Sequence, residues 1–214
     1  MRRYLAMAGA AVLLLAGCVK SPLPLSNQTR ISVEDFARMF VDYLKDTSAP
    51  QTDIAGDFAD ITPDAVFEET GCQIFKDSAT YESYLLSDGE VTPVATGFGG
   101  FGITDILPCD LDENGQTDIL YAYSWGSGLH RSQLSVYNLT DKAETTLDYV
   151  NLNNDMLLEE ENGTINVYSA VFRSALPSDG SIINGMVKGE LLCTLTAENG
   201  GPKITEMIPQ KSIE

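Results

Sequence analysis

The stretch CDLDENGQTD, Cys109 to Asp118, sets an oxygen-bearing side chain at every second position: Asp110, Asp112, Asn114, Gln116 and Asp118. Carboxylates crowded this tightly repel one another unless water or a cation screens them. A hard divalent cation such as calcium takes about six to eight oxygens, and alternate residues of a tightly curled loop turn inward to supply them. Asp110, Asp112 and Asn114 would each give a side-chain oxygen, Gln116 its backbone carbonyl, and Asp118 would close the ring directly or through water. Gly115 permits the left-handed bend that such curling requires. Magnesium is less suited, because it keeps several of its waters and seldom uses an all-protein cage. The competing reading is an acidic surface turn in which Asx and Gly residues serve only the bend. The spacing favours calcium.

Two other sets of residues could do chemistry. His130 is the only histidine, in WGSGLHRSQ. As a base it would need Ser127 or Ser132 as a nucleophile and an acid to orient it. No G-x-S-x-G elbow is present, and a histidine metal cluster is excluded. Trp125 and the tyrosines at 121, 123 and 137 recur on strand-like segments. Such rings either build a platform for carbohydrate or peptide or fill the core as cross-strand pairs. The candidate ligand contacts are therefore Tyr121, Tyr123, Trp125 and His130, and no catalytic residue is assigned. Cys72, Cys109 and Cys193 form no C-x-x-C pair. Three buried small hydrophobes is the simpler reading, and the sequence leaves a disulfide undecided.

These residues must be held by something. Ser32 as cap, Asp35 as capping-box acid, and Phe36, Met39, Phe40, Tyr43 and Leu44 at helical spacing predict a helix through Lys45. Thr62 as cap, Pro63 as first helical residue and Gly71 as terminator predict a shorter second one. From about residue 72 the pattern changes to strands. Asp88-Gly89 and Asn162-Gly163 each sit between extended arms, and a third turn falls at Asn199 to Pro202. Asx-Gly marks a hairpin because both turn positions want positive φ. The segments ITDILPC, TDILYAYSW and SQLSVYNL read as strands. The expected fold is α+β, mainly β: an N-terminal helical segment packed on an antiparallel meander of seven to nine strands that carries the acidic loop as a hairpin. No linker divides residues 31–214, which read as a single domain.

The loop lacks the flanking helices and the twelfth-place glutamate of an EF-hand; that place holds Tyr121. The run FGGFGITDILPCDLDENGQTDILYAYSWGSG, residues 98–128, resembles instead an FG-GAP or VCBS-type repeat. The match lies in Phe98-Gly99, Asp110, Asp112, Asn114, Gly115, Asp118, Ile119 and Leu120. The resemblance implies a calcium-binding hairpin of two strands. The family usually stacks such units into propellers, whereas this chain carries one.

The N-terminus opens with Arg2 and Arg3, followed by an apolar run and small residues ending at Cys18, the layout of a secretory signal. Leu15, Ala16, Gly17 and Cys18 resemble the lipobox of bacterial lipoproteins. The resemblance implies a signal peptide at 1–17, removed before Cys18, which then carries the lipid. Residues 18–30, with their Pro, Ser and Asn, read as a lipidated tether. Two or more acyl chains would hold the protein stably on a membrane without spanning it. Removing the leader takes the net charge from −18 to −20. Such a surface repels phosphate backbones and anionic headgroups, which argues against nucleic acid. The sequence thus predicts a lipid-anchored, extracytoplasmic protein of the bacterial cell envelope. It would be a calcium-stabilised module binding a surface protein or carbohydrate. The alternatives are an exported hydrolase using acidic residues and His130, and a structural subunit of an envelope complex.

Overall fold

Ser32 and Asp35 cap the first helix as a pair. In the computed structural model, which describes residues 29–47, 56–152, 154–175 and 183–207, α1 spans Val33–Asp46. The Ser32 Oγ accepts from the Asp35 N–H at 3.1 Å and donates to the Asp35 carboxylate at 2.9 Å. Its apolar stripe lies on a first sheet: β1 (Phe58–Asp60), β2 (Gln73–Asp77), β3 (Ser83–Ser87) and β4 (Glu90–Val94), in that order. Phe36 is fully buried and stacks on Phe75 of β2 with ring centroids 3.9 Å apart, and Phe40 meets Tyr84 of β3 edge-on. Burying a side chain of that size stabilises by about 1.5–3 kcal/mol. Arg30 ties the chain ahead of α1 to Asp60 and Asp64.

The second helix, α2 (Asp64–Thr70), starts one residue later than its cap pattern predicts. Thr62 does not cap it. The Thr62 hydroxyl donates to Asp60 Oδ1 at 2.6 Å and accepts from the Ile74 N–H at 2.6 Å, stitching the loop to β2 instead. Gly71 ends the helix in the left-handed region, at φ 70°.

A second sheet follows in strict chain order: β5 (Gly102–Cys109), β6 (Asp118–Trp125), β7 (Arg131–Asn138) and β8 (Ala143–Leu152). A third contains β9 (Asp155–Glu161), β10 (Thr164–Ala175), β11 (Ile183–Ala197) and β12 (Pro202–Glu206), again each beside its chain neighbour. All pairings of these strands are antiparallel. The three predicted hairpin turns join β3 to β4, β9 to β10 and β11 to β12, with Asp88, Asn162 and Asn199 at positive φ.

The second sheet is the middle layer. One face, with Ile119, Tyr121 and Tyr123, packs on Ile74, Leu85 and Val94 of the first sheet. The other, with Leu120, Ala122 and Leu134, packs on Met156, Val167 and Leu195 of the third. Strand β6 is therefore buried at every position except Trp125. Where β5 shifts register, Thr104 Oγ donates to the Met156 carbonyl at 3.0 Å, and the Asp105 carboxylate accepts the Leu158 N–H at 2.7 Å. A side chain from the middle layer thus occupies a donor on the edge strand β9, which a bare edge would offer to another chain.

The fold is mainly β, with twelve strands and two helices among the described residues, more strands than the expected seven to nine. The additional ones hide for a physical reason. Strand β2 is buried on nearly every side chain and β1 has three residues, so neither shows period-two alternation, and β8, the third not read from the sequence, alternates only in its second half. The predicted leader, the predicted lipid attachment at Cys18 and nearly all of the predicted tether lie outside the described residues.

Candidate functional site

The middle sheet has two chemically distinct ends. At the first, β5 hands over to β6 through the acidic loop, flanked by strands on both sides as the rejection of an EF-hand requires. The carboxylates turn inward. The Asn114 N–H donates to both Asp110 Oδ1 and Asp112 Oδ1 at 3.1 Å, the Gly115 N–H to Asp110 Oδ2 at 3.0 Å, and the Gln116 N–H to Asn114 Oδ1 at 2.7 Å. Gly115 sits at φ 79° with open space where a Cβ would go.

Asp118 is 1 % exposed. Its carboxylate accepts from the Leu139 N–H and from Asn138 Nδ2, both at 3.0 Å, and that same Nδ2 donates to Asp112 Oδ2 at 3.1 Å. The Asn138 amide is thus wedged between two carboxylates. Its orientation is set by the Asp141 N–H, which donates to Asn138 Oδ1 at 2.8 Å. Burial pushes the Asp118 carboxyl above its ordinary value, and the charges of Asp112 and Asp110 push the same way against the two hydrogen bonds. Among the described residues, no lysine or arginine pairs with Asp110, Asp112 or Asp118. A cleft of about 200 Å³ opens beside Asp112, Asp118, Asn138 and Asp141, closed on its far side by the Gly200–Pro202 turn.

Asn138 is the residue that sequence reading missed. It lies twenty positions beyond Asp118 on another strand, and only the Ile119–Tyr137 register brings it alongside. As donor chemistry the loop suits a hard cation, being oxygen-rich, inward-turned and without positive countercharge. As spacing it does not gather three His, Cys, Asp or Glu side chains into one metal-holding group, and no such group is found among the described residues.

At the opposite end, Gly97 to Gly102 and Trp125 to His130 run alongside each other, joined by the Gly126 N–H donating to the Phe98 carbonyl at 2.8 Å. Of the candidate ligand contacts, Tyr121 and Tyr123 are 1 % and 5 % exposed and belong to the core between the first two sheets, so neither offers a ring face to solvent. Trp125 is half-buried at the end of β6. Its Nε1 donates to Gln133 Oε1 at 2.8 Å, the Tyr123 hydroxyl donates to the same oxygen at 3.2 Å, and the Arg131 guanidinium lies over the indole at 4.9 Å.

His130 stands half-buried just ahead of β7. Its Nε2 is 2.8 Å from Asp155 Oδ1, a buried carboxylate, and its ring stands 5.9 Å from that of Phe101. The pair has an orienting acid, and among the described residues no serine or cysteine bonds to the imidazole. Ser132 Oγ is buried without a hydrogen-bond partner, and Ser127 makes no bond to the imidazole. The three described cysteines are free, and burial pushes the thiols of Cys109 and Cys193 up to about 12, so they stay protonated and unreactive.

No family model, no curated protein and no solved structure matches the chain. Among the described residues no helix is long and apolar enough to cross a membrane.

Proposed function

We propose that the chain is an exported lipoprotein of the bacterial cell envelope, held on a membrane through lipid on Cys18, whose folded domain is a calcium-stabilised binding module. The observation that carries the calcium reading is the environment of Asp118: a buried carboxylate beside Asp112 and Asp110 whose partners are all neutral donors. Asp110, Asp112, Asp118, the Asn114 side chain and the Gln116 carbonyl would hold the ion, and Asn138 would yield its place between Asp112 and Asp118. Calcium would supply charge neutralisation and draw the loop tighter than it stands. Binding to the native state alone would add to folding stability. Among the described residues no serine or cysteine bonds to the His130–Asp155 pair, which favours binding over the alternative of a hydrolase.

Thermal unfolding of the lipid-free domain tests the calcium reading. Melting is expected at higher temperature in calcium than in chelator, and Asp110→Ala is expected to remove the difference. Identical melting of the unmodified domain in both conditions sinks it. Cys18→Ser is expected to release the full chain from the membrane fraction.

A further inference from the structure

The second end of the middle sheet holds an imbalance of opposite sign. Six of the eight lysine and arginine side chains described pair with a carboxylate: Arg30, Arg38, Lys45, Lys142, Lys188 and Lys203. Lys76 gives its ammonium to the Ile103 carbonyl at 2.9 Å. Arg131 pairs with no carboxylate among the described residues. Its Nη1 donates to the Leu129 carbonyl at 3.3 Å, its Cζ lies over the Trp125 ring, and the side chain lines a cleft of about 460 Å³.

The neighbours of Arg131 sharpen the chemistry. Gln133 also lines the cleft, and its Oε1 already accepts twice, from Trp125 Nε1 and the Tyr123 hydroxyl. An indole N–H donates only, so this fixes which way the amide points. The Gln133 NH2 therefore has no hydrogen-bond partner among the described residues, and it brings two more donors to a side chain that lines the opening. On the rim stands Phe98, 81 % exposed, the most exposed large hydrophobic side chain described. Its backbone is pinned by the bond to Gly126, so the ring is presented on a fixed support.

We infer that this cleft binds an organic carboxylate that carries an apolar group: the carboxylate taken by Arg131 and the Gln133 amide, the apolar group laid against Phe98. A neutral sugar fits less well, because Arg131 covers one face of the indole and Gly97 approaches so closely that a Cβ there would stand 2.7 Å from the Trp125 Cβ. A phosphate dianion fits less well too, since one guanidinium faces it and the whole surface repels it. The proposal gives the binding module a ligand class and needs no metal at the acidic loop. Free acids and the C-terminal ends of peptides share this chemistry.

Trp125 is the only tryptophan in the chain, so its emission reports this cleft directly. Titration of the domain with N-acetyl-phenylalanine, in calcium and separately in chelator, is expected to give a saturable change in both. N-acetyl-phenylalaninamide, which lacks the charge, is expected to bind at least tenfold more weakly, in line with the loss of a charge-assisted hydrogen bond. Arg131→Gln is expected to weaken binding of the acid by a similar factor. Gln133→Glu keeps the acceptor for Trp125 and Tyr123 while replacing the free NH2 by a carboxylate oxygen, and is expected to abolish binding even if the arginine variant unfolds. A peptide ending in phenylalanine that binds more tightly than the acetylated residue identifies protein C-termini as the source; equal affinity identifies free acids. Equal binding of acid and amide, undiminished binding to Gln133→Glu, or no saturation by about 10 mM, where the binding free energy would be under about 3 kcal/mol, overturns the inference. Loss of binding in chelator alone would overturn its independence from the metal loop and leave the calcium reading standing.

Discussion

The two ends of the middle sheet carry charge in opposite ways. At the β5–β6 turn, the carboxylates of Asp110, Asp112 and Asp118 accept from backbone and amide N–H groups, and no described lysine or arginine pairs with them. At the β6–β7 end, a guanidinium stacks on an indole and no carboxylate joins it. Strand β6 connects the two, and along its length every side chain but the last is buried. A rigid, apolar layer thus separates two polar termini, each short of the charge that would complete it. Six of the eight described lysine and arginine side chains pair with a carboxylate, and Arg131 is one of the two that do not.

The ends differ in how much backbone they have committed. At the aromatic end, Gly102 has φ 61° and a Cβ there would stand 2.1 Å from the Tyr81 carbonyl oxygen. At the acidic end, Gly115 has nothing within 4 Å. Gly102→Ala is therefore expected to cost about 3 kcal/mol or more, left-handed strain plus a backbone clash, whereas Gly115→Ala should cost about 1–2 kcal/mol from strain alone. Urea denaturation of the two variants measures the gap, and equal costs would remove the distinction between a clamped end and an open one.

Calcium is expected to act next most strongly, and on the acidic end only. At a hundredfold excess over Kd it should stabilise the domain by about 2.7 kcal/mol, and Asp118→Asn should lose most of that gain while leaving the Trp125 emission unchanged. Calorimetry with parallel fluorescence separates the two ends. An emission change that tracks calcium would couple them.

His130→Ala tests the other end. It strips the buried Asp155 carboxylate of the imidazole, with an expected cost of about 1–3 kcal/mol in denaturant unfolding and no change in the calcium response.

The smallest expected effect is on pH dependence. Burial raises the Asp118 carboxyl above its ordinary 3.8, so just above that pH the native chain binds more protons than the unfolded one. Its ionisation therefore lowers metal-free stability as pH rises through that window. Chelated Asp118→Asn protein should accordingly gain on the unsubstituted domain as pH rises from 3.8, and the difference should reverse in calcium, which needs the ionised group. Unfolding free energies at a series of pH values would show it.

Much of this was written locally. Ser32 and Asp35 announce α1, and three Asx or Asn-Gly turns announce three hairpins, because capping and positive φ act within a few residues. The acidic loop was equally plain. What stayed hidden is what distant strands bring in. Asn138 reached Asp118 only through sheet register, and Asp155 reached His130 from another sheet. Tyr121, Tyr123 and Trp125 share one alternating pattern, yet only the last escapes the first sheet, and alternation cannot say where a covering layer stops. Arg131 and Gln133 look ordinary in sequence; their significance lies in which partners they lack.

Each sheet is built from four successive strands, and each strand lies beside its neighbour in the chain. The separations between bonded strands are therefore short, and loop-closure entropy is small at every step. A polypeptide that enters a new compartment end first would be able to zip its first quartet before the second has arrived. The middle quartet, with two apolar faces, gains its cover in turn from the one before it and the one after it.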